Sequence, residues 1–143
     1  MIEVLLVEDD PGDVLMTREA FAENPDKTGT NTLHVVSDGD SAMEFLHKRG
    51  RYADAPTPDL ILLDLNLPGM DGREVLAAVK GDPLLRQIPL VVLTTSEAED
   101  DVLHSYELHA NAFVTKPLDF NRFLEVVRQI DDFFVGVVRL PHR

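Results

Sequence analysis

Three aliphatic blocks punctuate the chain: Val4-Leu5-Leu6-Val7, Leu60-Ile61-Leu62-Leu63 and Leu90-Val91-Val92-Leu93. A run without polar alternation predicts a strand covered on both faces, as in the centre of a parallel sheet. Leu33-His34-Val35-Val36 and Ala112-Phe113-Val114 are weaker blocks and are expected nearer the sheet edges. Between the blocks, apolar residues recur at helical spacing. Asp10 is expected to cap a first helix, with Pro11 at its opening position and Met16, Ala20 and Phe21 on the inward face. A second helix turns Ala42, Phe45 and Leu46 inward, and a third Val75, Leu76 and Val79. A fourth, less regular pattern runs from Ser96 to about Leu108. The fifth is the clearest, with Phe120, Phe123, Leu124, Val127 and Ile130 on one face.

Strand and helix thus alternate five times. Right-handed crossovers place helices on both faces of one sheet, which makes a doubly wound α/β domain. Ligands of such sheets sit beyond the carboxyl ends of the strands. The residues at those ends are Glu8-Asp9-Asp10, Asp64, Thr94-Thr95-Ser96 and Thr115-Lys116-Pro117. Acids, hydroxyls and one lysine are therefore expected around one pocket. Asp10 is assigned to the helix cap, and Asp71, just before Gly72, to the cap of the third helix.

Composition narrows the options. The 143 residues suit one domain, 1–143, with an apolar extension from about residue 133. A net charge of −13, from 13 basic and 26 acidic residues, argues against nucleic acid as a partner. The short basic stretch Lys48-Arg49-Gly50-Arg51 is taken as a solvated helix end whose cations suit the helix dipole. No apolar run is long enough to span a membrane, and the start "MIEVLLVEDD" does not resemble a secretory signal, so a cytoplasmic location is expected. The absence of cysteine removes disulfides, thiolate nucleophiles and Cys-based zinc sites.

Carboxylates at Asp9 and Asp64, with Glu8 beside them, are hard oxygen ligands of the kind Mg²⁺ prefers. Thr94 supplies a hydroxyl and Lys116 a positive charge, a set suited to the oxygens of a phosphoryl group in flight. Asp64 is then placed to act as the nucleophile and form an acyl phosphate.

The segments "LLVEDD", "DLILLDLNLPGMDG", "IPLVVLTTSE" and "NAFVTKPLD" occur in the order found in receiver domains of two-component response regulators. The chain resembles that family from Val4 to about Val135. The resemblance implies a flavodoxin-like (βα)5 parallel sheet of strand order 2-1-3-4-5. It implies that Asp64 is the phosphoacceptor, served by a sensor histidine kinase. Mg²⁺ would be held by Glu8, Asp9, Asp64 and the backbone carbonyl of Asn66. Thr94 and Lys116 would contact the phosphoryl group, with a cis bond between Lys116 and Pro117. Thr94 and Phe113 would form a switch acting on the surface of the fourth helix, fifth strand and fifth helix.

Three positions depart from the commonest family pattern. Glu8 stands for aspartate, and its longer arm is expected to reach the cation through water. Thr95 is bulkier than the usual residue there, and His109 takes the place of a common glycine. Two longer connections, Ala22 to Thr32 and Lys48 to Pro58, resemble the single-domain subtype that partners phytochrome-like kinases. The apolar tail Phe133–Pro141 fits that subtype and suggests a homodimer or kinase contact.

Two alternatives belong to other classes. A phosphatase of the haloacid-dehalogenase kind also uses a strand-end aspartate with Mg²⁺, but its second aspartate would stand where this chain has Asn66. An unphosphorylated pseudo-receiver scaffold would have lost pocket residues, whereas Asp64, Thr94, Lys116 and the acidic pair are all present.

Overall fold

The computed structural model describes residues 3–22, 32–65, 67, 69–94 and 112–115, with the backbone alone at 20–22, 93–94 and 112–115. Five strands, β1 (Glu3–Val7), β2 (Thr32–Val36), β3 (Leu60–Asp64), β4 (Leu90–Thr94) and β5 (Ala112–Thr115), form one sheet. Every pairing is parallel and the order is β2-β1-β3-β4-β5, as expected from the alternating pattern and the family resemblance. The weaker blocks β2 and β5 lie at the edges. Three helices are described: α1 (Pro11–Ala22), α2 (Gly39–His47) and α3 (Gly72–Gly81). The fourth and fifth expected helices lie outside the described residues.

The aliphatic blocks are uninterrupted because their alternate residues serve two cores. Leu5, Val7, Ile61, Leu63, Leu90 and Val92 join Ala42, Phe45 and Leu46 of α2 and Val75, Leu76 and Val79 of α3. Val4, Leu6, Leu60, Leu62 and Val91 form the other core, with Val14 of α1 packed against it. A polar residue at any of these strand positions would lose its water on one face or the other.

The first helix modifies the expected inward stripe. Met16 is half-buried, but Thr17 is the deepest described residue of α1, and Val14 lies one turn before it. Thr17 buries because its hydroxyl donates to the Asp13 carbonyl at 2.8 Å, leaving its methyl to pack. Leu15 remains 57% exposed. The side chains of Ala20 and Phe21 lie outside the description.

The basic stretch Lys48-Arg49-Gly50-Arg51 is exposed throughout and follows the end of α2, as expected. Lys48 takes the left-handed conformation at the C-cap, where its N–H donates to Glu44 and Phe45 carbonyls. A 3₁₀ turn, Gly50–Tyr52, follows; Tyr52 meets the Phe45 ring at 5.4 Å, and the Arg51 guanidinium sits 4.9 Å from the Tyr52 ring centre.

Candidate functional site

In this strand order the chain leaves β1 towards one edge and β3 towards the other, so β1 and β3 flank the switch point. Their carboxyl ends carry Glu8-Asp9 and Asp64. The three residues each present a carboxylate oxygen, and these oxygens lie within 4.8 Å of one another. Glu8 is 1% exposed and Asp64 5%, while Asp9 faces solvent. The sequence placed these acids together, and the structure brings them together.

Each acid is held by the element before it. Glu8 continues β1 by donating its N–H to the Val36 carbonyl at 3.0 Å, and its Oε2 accepts from the Asp10 N–H at 3.5 Å. Asp10 accepts the Gly12 N–H at 2.8 Å and the Asp10 carbonyl accepts from Val14, so it caps α1 as expected. Asp64 is the last residue of β3. Beyond it, the buried Leu65 carbonyl accepts from both Leu67 and Gly72 N–H groups at 3.2 Å, which reverses the chain. Asp71 caps α3 by accepting the Arg73 N–H at 2.7 Å.

Gly72 shapes the site through a close approach that its residue pattern does not announce. A Cβ there would stand 2.4 Å from the Asp64 carbonyl oxygen and 2.6 Å from the Leu65 Cα. Only hydrogen fits, and the first turn of α3 can therefore close on the strand end that carries Asp64. Its sole trace in the sequence is a glycine directly after a capping aspartate.

The remaining candidates are placed less fully. Register pairs Asp64 with Leu93 and Thr94 with Thr115, so the Thr94 backbone stands one strand away at the same sheet edge. Phe113 pairs with Val92, further down the sheet. Asn66, Thr95, His109, Lys116, Pro117 and the apolar tail lie outside the described residues.

Three close carboxylates, two of them buried, repel one another, and a divalent cation would remove that repulsion. The donors are all oxygens, and exposed Asp9 leaves the site open to water, which suits a hard cation that keeps part of its hydration shell. The residues present fit such an ion.

A five-stranded parallel sheet of this order, with clustered acids at its switch point, defines a class: the chain belongs to the response regulator receiver domain family, which residues 4–128 match. Over 140 residues it is 47% identical to the response regulator Rcp1 of Synechocystis sp., covering 96% of this chain and 92% of that protein. The phosphorylated cyanobacterial phytochrome response regulator RcpA superposes with a TM-score of 0.91 at 45% identity, covering 99% of each chain. The Mn²⁺-bound form of Rcp1 superposes with a TM-score of 0.90 at 45% identity, covering 99% of this chain and all of that one. No helix among the described residues is long and apolar enough to cross a membrane.

Proposed function

We propose that Asp64 accepts a phosphoryl group from a phosphohistidine of a sensor histidine kinase, and that the kinase is of the phytochrome-like kind. An Asp64 carboxylate oxygen attacks phosphorus, the bond from phosphorus to the histidine nitrogen breaks, and an acyl phosphate forms on Asp64. Glu8, Asp9, Asp64 and the Asn66 carbonyl would hold Mg²⁺, which would supply positive charge to the phosphoryl oxygens. Thr94 and Lys116 contact those oxygens, and Thr94 with Phe113 carries the change to the surface of the fourth helix, fifth strand and fifth helix. The same cradle lets water return the protein to its unmodified state. The protein acts in the cytoplasm, and a homodimer through the apolar segment from about residue 133 belongs to the proposal; the solution mass of the chain tests it.

One observation carries the phosphoacceptor role: Glu8, Asp9 and Asp64 meet within 4.8 Å at the switch point of the sheet. Two relatives add support, since RcpA is a phosphorylated phytochrome response regulator and Rcp1 binds Mn²⁺. Intact-mass measurement after acetyl phosphate treatment tests the assignment. The wild type is expected to gain one phosphoryl group only when Mg²⁺ is present, and Asp64→Asn to gain none. Equal gain in both proteins, or none in the wild type, would overturn it.

A further inference from the structure

The turn from Leu65 to Gly72 leaves the acceptor strand and returns as α3, and a second segment leans on it. A Cβ on Gly39, the first residue of α2, would stand 2.3 Å from the Met70 carbonyl oxygen, 2.7 Å from its Cβ and 3.0 Å from its carbonyl carbon. All three are atoms that a rotamer change cannot move away. One residue on, a Cβ added to Gly69 would lie 3.5 Å from Asp40 Oδ2, so the two segments meet at neighbouring points. Gly39 is buried, and Met70 packs against the core that α2 and α3 share.

We propose that Gly39 is a positioning residue for the acceptor site, seating the 65–72 turn against the first turn of α2 by backbone contact. This rests on the assignment of Asp64 and its cation. Gly72 fixes the α3 end of the turn against Asp64 and Leu65, and Gly39 fixes its outer part. Rigidity on the α2 side comes from two sources. Asp38 caps the helix, accepting the Ser41 N–H at 2.7 Å, and its carbonyl accepts from Ala42 at 3.1 Å. Ala42, Phe45 and Leu46 then lock the helix to the sheet. A methyl group at position 39 must push the turn outward, and an ångström of displacement at a cation site is enough to spoil it.

The test uses unphosphorylated full-length protein: calorimetric titration with Mg²⁺, and amide exchange at Leu67 and Gly72 without metal. Gly39→Ala is expected to weaken Mg²⁺ binding about tenfold, the scale seen when supports of a metal ligand are altered, and to speed exchange at both amides. Asp38→Ala frays the first turn of α2 without adding bulk and is expected to shift both readouts in the same direction, by less. Asp38→Asn keeps a cap while removing the charge, and should behave as wild type. Val79→Ala loosens the core from α3 and should lower thermal stability without changing Mg²⁺ affinity. Wild-type affinity and exchange in Gly39→Ala would overturn the proposal, as would an equal loss of affinity in Val79→Ala. If Gly39→Ala fails to fold, Asp38→Ala decides: unchanged exchange and affinity sink the idea. Amide exchange needs neither cation nor phosphoryl group, so a wild type that takes up no phosphoryl group would sink the Asp64 assignment while leaving this question open to its own answer.

Discussion

Between the Asp64 carbonyl and the first turn of α3 there is room for a hydrogen atom and nothing larger. Gly72→Ala places a methyl group against two pieces of backbone, neither of which has a rotamer to change. Overpacking of this sort costs about 1–3 kcal/mol, and part of the adjustment must fall on the strand end that presents Asp64. The variant is therefore expected to unfold at lower urea concentration and also to take up phosphoryl groups from acetyl phosphate more slowly at saturating Mg²⁺. Loss of stability with an unchanged rate would show that the strand end holds its position regardless. At this scale the sequence was legible where chemistry is local. Glu8, Asp9 and Asp64 are acids at the ends of aliphatic blocks, and that alone placed them together. Gly39 and Gly72 serve through close approach between segments, which has no period and no residue type beyond glycine itself. Thr17 escaped notice for a related reason, since its burial depends on a hydrogen bond to Asp13 rather than on its apolar character.

Elements were read most securely where one stripe of a helix meets a flat sheet. Ala42, Phe45 and Leu46 on α2, and Val75, Leu76 and Val79 on α3, are buried as their spacing required. The turn between α3 and β4 had no comparable signal, because its order comes from a cation. Lys80 Nζ, near the end of α3, donates to the Arg86 carbonyl at 3.1 Å and the Ile88 carbonyl at 2.9 Å, tying the turn to the helix. Burial holds its ammonium below the ordinary lysine pKa. The unfolded chain therefore binds the proton more tightly than the native one. The resulting penalty on the fold is complete below the native pKa and is relieved as pH rises through it towards the unfolded value. Compared with Lys80→Met, wild-type stability in urea should thus improve as pH rises through that window, with the shared titration of other groups cancelling in the difference. A difference that shrinks with pH would mean that the two carbonyls favour the charged form more than burial opposes it.

At the scale of the whole molecule, the order of five strands brings remote acids to one point; the continuous aliphatic runs made the covered parallel sheet legible, and the strand order followed from the family resemblance. The helices expected after β4 and β5, and the apolar tail, rest on sequence patterns alone. What the topology creates is a charge problem: a chain of net charge −13 concentrates three carboxylates within 4.8 Å, two of them buried. Unfolding disperses them, so a divalent cation bound by all three should bind the native state in preference. Linkage then gives about 2.7 kcal/mol at a cation concentration one hundred times the dissociation constant, or roughly 5–10 °C in melting temperature for a chain of this length. Mg²⁺ should raise the wild-type melting temperature by that amount and raise Asp64→Asn far less. Sodium chloride at equal ionic strength separates this from general screening, which acts on the surplus acids of both proteins alike. Equal rises with Mg²⁺ in the two proteins would mean that the cation acts on the overall charge rather than on this cluster, and the cluster would then lose its standing as a cation site.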